Sequence, residues 1–245
     1  MTHTLKSSSR YPLIDALRGS AIVMMVVFHF CFDLSLFKHV NFDFYHSPYW
    51  LNFRIIIVSL FTFIMGMSLH LAHKQGIHWQ KYIKRTGILL GCALLITVTT
   101  YFTSGERFIY FGILHFIFVA SIVAIPFLRL YWGNLILGSA ILIFANRYEN
   151  PLFHKPYLHW IGFMQYKPAT DDYAPLLPWF GIVLLGMFFA RWAVSENHFG
   201  YIQAWRPKFP LTRGLAFIGV YSLLIYMLHQ PIFFGLFKLQ QMLWR

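Results

Sequence analysis

The sequence predicts an all-α integral membrane protein, a bundle of about seven transmembrane helices that forms a single domain over residues 1–245. Of the 245 residues, 58% are hydrophobic and only 11% are charged. The mean hydropathy of +0.57 lies well above that of an ordinary soluble domain. The apolar residues are also divided into separate runs, each close to the roughly 20 residues that a helix needs to cross a bilayer.

These seven runs lie at residues 12–36, 51–72, 86–101, 108–128, 131–146, 175–193 and 214–237. The first run is too long for a removable signal peptide and has no small-residue cleavage site, so it is predicted to be the first helix. Because the fifth run is short and the third contains Gly87 and Gly91, counts of six or eight helices stay open.

The net charge of +12 is distributed unevenly between the connecting segments. With the N-terminus inside, the segments predicted to be cytoplasmic carry many cations, opposed mainly by Glu196. These cations are Lys6, Arg10, Lys74, Lys81, Lys84, Arg85, Arg129, Arg191, Arg206, Lys208 and Arg213. The positive-inside rule therefore predicts an N-in, C-out orientation. Because topology accounts for the basic charge, no nucleic-acid partner is expected.

The first helix carries an unusual set of ionisable side chains, which are costly inside a bilayer unless they are paired or functional. At 100° per residue, Asp15, Arg18, His29 and Asp33 fall within an arc of about 60°. Asp15 and Arg18 are spaced to pair at i,i+3, which a purely structural role also explains. Asp33 is spaced at i,i+4 to orient His29 as a general base, although an interhelical hydrogen bond explains His29 equally simply.

Two other predicted helices carry polar side chains. In the last run, Ser222, Tyr226 and His229 form one stripe, for which packing between helices and substrate contact are both adequate explanations. In the fourth run, His115 lies near the predicted outer surface. It is a candidate for the catalytic site because it shares the outer half of the bundle with His29, and a structural role is the alternative.

The long outer loop is predicted to end in a candidate substrate-binding segment. Asp171 and Asp172 precede two prolines and Trp179, so their side chains are placed to face a ligand that arrives from outside. A solvated loop is the alternative for the acids, and an aromatic belt at the membrane interface is the alternative for the tryptophan. The loop histidines have no zinc-site spacing, so no metal is expected.

Stretches of sequence in order along nearly the whole chain carry a resemblance to a known family. They lie at residues 11–19, 28–34, 61–68, 111–115, 172–181 and 217–231. The Asp15-x-x-Arg18-Gly19 opening alone occurs in several families of membrane acyltransferases, so the ordered set carries the specificity. That set resembles the catalytic domain of the heparan-alpha-glucosaminide N-acetyltransferase family.

The resemblance implies transfer of an acyl group, usually acetyl, from cytoplasmic acyl-coenzyme A to an amine or hydroxyl of a sugar-like acceptor on the far side. Members place an essential histidine at the outer end of the first helix, where this chain has His29, or in the following loop, where it has His39. The chain looks like a compact bacterial relative, which implies the cytoplasmic (inner) membrane, a lipid bilayer as its surroundings and a homodimer. It lacks the large luminal domain of the lysosomal branch, so a heparan substrate is not implied.

A mechanism follows as a hypothesis. Arg18 and His29 are about 16 Å apart along a helix, comparable with the reach of a pantetheine arm. We expect Arg18, Lys84 and Arg85 to hold the phosphates of the donor, with Tyr226 and His229 also on the donor side. His29 then acts as the base, supported by Asp33, while His115 or Tyr226 donates to the oxyanion.

Four alternatives stay open at this point, one of which is a noncatalytic membrane scaffold. An acyl-histidine intermediate is a second chemical route to the same product. Lys84 and Arg85 are equally well explained as plain determinants of topology. A small-solute or proton-coupled transporter, in which the intramembrane histidines and acids form a proton relay, is the competing class of function.

Overall fold

A computed structural model describes residues 11–195 and 199–243, so Lys6, Arg10 and Glu196 of the charge pattern lie outside the described residues. Within these ranges the chain forms nine α-helices, several short 3-10 helices and no strand. The α-helices are α1 Pro12–Leu36, α2 Pro48–His73, α3 Trp79–Ser104, α4 Ile113–Val123, α5 Trp132–Ala145, α6 Leu176–Ser195, α7 Phe199–Ala204, α8 Pro210–Val220 and α9 Ser222–Leu243. The all-α prediction is confirmed.

Five helical segments are long and apolar enough to cross a membrane, which supports an integral membrane protein. They are Pro12–Leu36, Pro48–His73, Trp79–Arg107, Leu176–Ser195 and Ser222–Leu243. Large apolar side chains on these segments point outward, such as Phe102 at 81% exposed and Met242 at 77%. Such exposure is expected where lipid rather than water surrounds the protein. A total of seven crossings and the N-in orientation stay predictions.

The two remaining runs in the middle of the chain are shorter helices than the sequence predicts. α4 has 11 residues and α5 has 14. At 1.5 Å per residue these helices are about 16 and 21 Å long, less than the roughly 30 Å hydrocarbon core. After α4 the predicted run 108–128 continues as the 3-10 helix Ile125–Arg129, in which Pro126 has no N–H to continue an α-helical ladder.

The last predicted run, 214–237, is not one continuous helix, and that prediction is wrong. α8 ends at Val220 and α9 begins at Ser222. Between them Tyr221 has φ −98° and ψ 18°, outside the range of an α-helix. The N–H of Tyr221 lies 3.1 Å from the carbonyl of Ile218 and 3.4 Å from that of Phe217, so the last turn of α8 tightens toward 3-10 geometry.

The chain divides into two compact units, and each is described by itself. The first consists of the segments Met1–Arg54 and Glu196–Arg245, and the second of Ile55–Ser195. The boundary between them lies inside α2. The expectation of a single domain over residues 1–245 stays a prediction.

In the first unit the backbones of α1 and α8 come into close contact at two glycines, Gly19 and Gly219. A methyl group added at Gly19 would overlap the carbonyl oxygen of Leu215, and one added at Gly219 would overlap the carbonyl oxygen of Asp15. Small residues allow such close backbone contact between membrane helices, where van der Waals packing supplies much of the association energy. The second unit uses the same device between α2 and α6, where Gly66 and Gly186 face backbone atoms.

Candidate active site

In the first unit, α1 and α9 bring two histidines and a glutamine together. The ring centroids of His29 and His229 are 5.1 Å apart at an interplanar angle of 62°. Nε2, the side-chain amide nitrogen of Gln230, lies 2.9 Å from Nδ1 of His29, across 201 residues of sequence. His229 is only 8% exposed, and His29 and Gln230 are partly buried. Nδ1 of His29 is therefore held by the protein.

The tautomer of His229 follows from its own helix. Nδ1 of His229 lies 2.6 Å from the backbone carbonyl of Tyr226, an oxygen that can only accept. Nδ1 must therefore carry the proton, and in the neutral ring Nε2 keeps a lone pair. His229 can thus accept a hydrogen bond through Nε2 while its Nδ1 proton stays bonded to the carbonyl of Tyr226.

Gln230 is less constrained than His229. Its Oε1 is buried and has no hydrogen-bond partner among the described residues. A rotation of 180° about the last side-chain bond exchanges the amide oxygen and nitrogen, so either group can face Nδ1 of His29. With the oxygen toward the ring, Nδ1 of His29 carries the proton and Nε2 has the lone pair that a base requires.

Asp33 and Tyr226 lie on the same two helices as this cluster. Asp33 is fully buried on α1, one turn beyond His29. The phenol ring of Tyr226 lies 5.6 Å from the ring of His229. Gln230 on α9 supplies a hydrogen bond to His29, and the spacing of residues along α1 could not reveal this partner.

His39 occupies a different place from His29. It follows α1 in an exposed turn, where its backbone N–H donates to the carbonyl of Leu34. Its ring lies 5.6 Å from that of Phe237, which is two turns along α9 from Gln230. The two candidate bases thus contact different parts of α9. His29 contacts His229 and Gln230, whereas His39 contacts Phe237.

The predicted pair at the start of α1 is confirmed. Nη1 of Arg18 lies 2.7 Å from Oδ1 of Asp15, and both side chains are partly buried. The guanidinium still has further N–H groups, so pairing does not preclude contact with a phosphate.

In the second unit, His115 and Asp172 close the N-terminus of α4. Nδ1 of His115 accepts from the N–H of Gly112 at 3.2 Å, and Nε2 then carries the proton toward Oγ1 of Thr97 at 2.9 Å. Oδ2 of Asp172 accepts from the N–H of Ile113 at 2.8 Å. These contacts satisfy N–H groups that every helix start leaves open. These contacts support a structural role for both His115 and Asp172.

The other predicted loop contacts are also made within the second unit. Nε of Arg107 lies 2.9 Å from Oδ1 of Asp171, and the N–H of Asp171 donates to the carbonyl of Arg107. Trp179 is half-buried in the first turn of α6, directly after Pro178. Lys84 is an exposed residue of α3, whereas Arg85 lines a small cavity with Lys81 and Tyr82.

A hydrogen-bonded network orders the long loop of the second unit. Tyr110 donates to Nδ1 of His159 at 3.0 Å, because Nε2 of that ring must donate to the carbonyl of His154 at 2.8 Å. The hydroxyl of Tyr173 donates to the carbonyl of His159 at 2.7 Å. Burial raises the pKa of the Tyr173 phenol, and the neighbouring Tyr110 phenol adds to this shift.

Tyr173 should make the stability of the protein sensitive to alkaline pH. Its folded-state pKa is raised above the unfolded value near 10, so its contribution is complete below about pH 10 and is lost as the pH rises further. We expect the thermal unfolding midpoint of wild type to fall more steeply from about pH 9 to 11 than that of Tyr173→Phe. Equal slopes in the two proteins would contradict this assignment.

The sequence profile described as heparan-alpha-glucosaminide N-acetyltransferase, catalytic, matches residues 10–231. The chain belongs to this family. The match includes both α1 with His29 and α9 as far as Gln230 and Pro231, so it spans the whole histidine cluster. Comparison with curated proteins and with solved structures gave no match.

Membership in the heparan-alpha-glucosaminide N-acetyltransferase catalytic family indicates a membrane acyltransferase. Gln230 is the functional candidate that sequence reasoning did not assign. The available signal was a polar side chain inside an apolar helix, directly after His229. Among the described residues there is no group of three or more His, Cys, Asp or Glu side chains arranged to hold a metal ion.

Proposed function

We propose that the protein transfers an acetyl or other acyl group from acyl-coenzyme A to an amine or hydroxyl of a sugar-like acceptor. The observation that carries this proposal is the contact of His29 with His229 and Gln230 in a chain of an acetyltransferase family. Two imidazoles and an amide inside apolar helices are expensive to maintain without a function. Their positions suit acid–base chemistry at a buried centre.

His29 acts as the general base in this mechanism. Nε2 of His29 takes the proton of the acceptor amine or hydroxyl as that atom attacks the thioester carbonyl. The tetrahedral intermediate collapses with cleavage of the C–S bond, and the imidazolium returns its proton to the departing thiolate. His229, which presents a lone pair at Nε2, orients the acceptor group through a hydrogen bond.

The remaining candidates take supporting roles. The Tyr226 hydroxyl, an O–H donor near the cluster, stabilises the oxyanion of the intermediate. Asp33, one turn from His29, stabilises the imidazolium. Arg18 contributes positive charge at the donor side. His115 and Asp172 instead hold the start of α4, and Asp171 with Arg107 orders the adjoining loop.

The proposed topology places donor and acceptor on opposite sides of the membrane. Seven crossings with the N-terminus inside put Arg18 at the cytoplasmic end of α1 and His29 about 16 Å further outward. Acyl-coenzyme A then enters from the cytoplasm, and the long loop over residues 147–174 meets the acceptor outside. A bacterial cytoplasmic membrane and a homodimer complete the proposal.

Gln230 should act as a positioning residue for His29. We expect Gln230→Leu to lower kcat by at least about tenfold, a part of the ~10²–10⁴-fold that acid–base catalysis contributes. Gln230→Glu should retain most of the activity, because its carboxyl oxygen also accepts from Nδ1–H. Nitrogen-15 NMR should show Nδ1 of His29 protonated in wild type and Gln230→Glu. If Gln230→Leu keeps both that tautomer and full kcat, Gln230 does not position His29.

A direct assay tests the proposed function. Purified protein in liposomes is given acetyl-coenzyme A and glucosamine, an acceptor with both an amine and hydroxyls, and free coenzyme A thiol is measured beside acetylated sugar. We expect the two products in equal amounts. If folded protein neither binds acetyl-coenzyme A in calorimetry nor releases thiol with a panel of amino sugars and sugars, the acyltransferase proposal fails and a transporter becomes the better interpretation.

A further inference from the structure

The second unit contains a large cavity that the proposed catalytic cluster does not use. Its volume is about 830 Å³, within the ~300–1,000 Å³ typical of small-molecule sites. The side chains that define its chemistry are His70, His73, Lys74, Trp79, Arg129 and Arg191. They come from the end of α2, the start of α3, the 3-10 helix Ile125–Arg129 and the end of α6, so one end of the unit forms the whole cavity.

The lining is cationic. Lys74, Arg129 and Arg191 each contribute a positive charge, and none of the described lining residues is acidic. The Arg191 guanidinium is fixed in place, because it donates to the backbone carbonyl of Arg129 and lies over the ring of Tyr131 at 5.2 Å. A guanidinium held by neutral partners keeps its charge for a ligand.

Two histidines add buried polar atoms to the same wall. His70 is only 8% exposed. Nδ1 of His73 is buried and has no hydrogen-bond partner among the residues that the structure describes. A buried polar atom that lacks a partner costs free energy, which a ligand can recover. The wall thus offers buried polar atoms beside its apolar residues.

A second, smaller cavity adjoins this wall. Its volume is about 140 Å³, and His73 lines both cavities. Lys81, Arg85 and His78 supply its basic character. Together the two cavities present five Lys and Arg side chains, and no described residue among their linings carries a negative charge.

We propose that this basic cavity, defined by His70, His73, Lys74, Trp79, Arg129 and Arg191, binds the phosphorylated nucleotide portion of the acyl-coenzyme A donor. This inference rests on the proposed function. A diphosphate and a sugar phosphate place several negative charges close together, and a phosphate monoester alone carries about −1.5 to −2 near neutral pH. Fixed guanidinium and ammonium groups bind such oxygens well. The Trp79 ring offers a surface on which a purine can stack.

The position of the basic cavity agrees with the proposed topology. Lys74, Lys81, Arg85, Arg129 and Arg191 all belong to the segments that the positive-inside rule assigns to the cytoplasm. Two residues of this unit, Lys84 and Arg85, were predicted from the sequence to bind phosphate. Arg85 lines the smaller cavity, and Lys84 lines neither cavity. The phosphate headgroup of an anionic lipid has the same chemistry, so the experiment must distinguish the two sources.

Calorimetry on the detergent-purified full-length protein tests the basic cavity. The probes are coenzyme A, 3′-dephospho-coenzyme A and pantetheine. The variants are Arg129→Glu and Lys74→Glu, with the milder Arg129→Gln as a second variant if a reversed charge prevents folding. Lys208→Glu is the matched control, because Lys208 is an exposed cation of the predicted cytoplasmic segments that lines neither cavity.

We expect coenzyme A to bind wild type and Lys208→Glu equally. Its affinity should fall at least about tenfold in Arg129→Glu and in Lys74→Glu, or by a smaller factor in Arg129→Gln. Removal of the 3′-phosphate should weaken binding to wild type, and pantetheine should bind much more weakly than coenzyme A. Both charged probes should lose affinity as salt increases.

Other outcomes overturn the inference in separable ways. If wild type binds coenzyme A and the cavity variants bind it equally, the basic cavity is not the donor site, although the proposed function stands. If those variants instead lose co-purified phosphatidylglycerol in native mass spectrometry with unchanged coenzyme A affinity, the cavity holds a lipid headgroup. If wild type binds neither coenzyme A nor acetyl-coenzyme A, the proposed function itself fails.

Discussion

His29→Ala should abolish acetyl transfer almost completely. Removal of this proposed general base is expected to lower kcat by about 10²–10⁴-fold. Binding of coenzyme A should change little, because His29 is not placed at the donor phosphates. Release of thiol from acetyl-coenzyme A in the reconstituted assay measures the first effect, and calorimetry measures the second.

His46→Ala is the matched control for this substitution. His46 is an exposed residue whose ring contacts Asp43 in a loop of the same unit, so its loss should leave kcat within about twofold of wild type, as expected for surface sites. His39→Ala separates the two candidate bases. If His39→Ala loses transfer and His29→Ala keeps it, the base lies in the loop and the α1–α9 cluster is structural.

Gly19→Ala should destabilise the first unit strongly. The new methyl group would overlap the backbone carbonyl of Leu215, and a backbone atom cannot move aside as a flexible side chain can. Overpacking typically costs about 1–3 kcal/mol, and we expect at least the upper value here because α1 and α8 must separate. For a chain of this size, ~3 kcal/mol corresponds to a fall of about 6–12 °C in the thermal midpoint.

Gly214→Ala, on α8 itself, provides the comparison. A methyl group at Gly214 meets nothing within 4 Å, so this variant should be as stable as wild type or gain up to about 1 kcal/mol in helix propensity. Thermal unfolding followed by circular dichroism in one detergent compares the two variants. If both variants melt at the wild-type temperature, the close approach of α1 and α8 is not what holds them together.

Most of the fold followed from apolar run length alone. The first run, 12–36, coincides with α1, because an uninterrupted apolar segment between polar flanks has few alternatives in a bilayer. The break at Tyr221 was missed, because the residues on both sides are apolar and the nearby Gly219 does not by itself mark a helix end. Hydropathy reports which residues avoid water, but it does not report where a backbone departs from helical angles.

The candidate site was predicted only in part, for a geometric reason. Spacing along one helix correctly paired Arg18 with Asp15. It also placed His29 on an interior stripe, but which residues of α9 meet that stripe depends on helix packing, which no local pattern encodes. For this reason Gln230 was not assigned to His29. His115 looked catalytic because its ring contacts to Thr97 and Gly112 could not be seen.

The contact between His29 and Gln230 joins residues 201 positions apart, so the histidine cluster is assembled from α1 and α9. At about 5–20 residues per second, a ribosome adds Gln230 roughly 10–40 s after His29. During this interval α1 is already made and α9 is still absent. A chain that stops before α9 therefore cannot assemble the cluster.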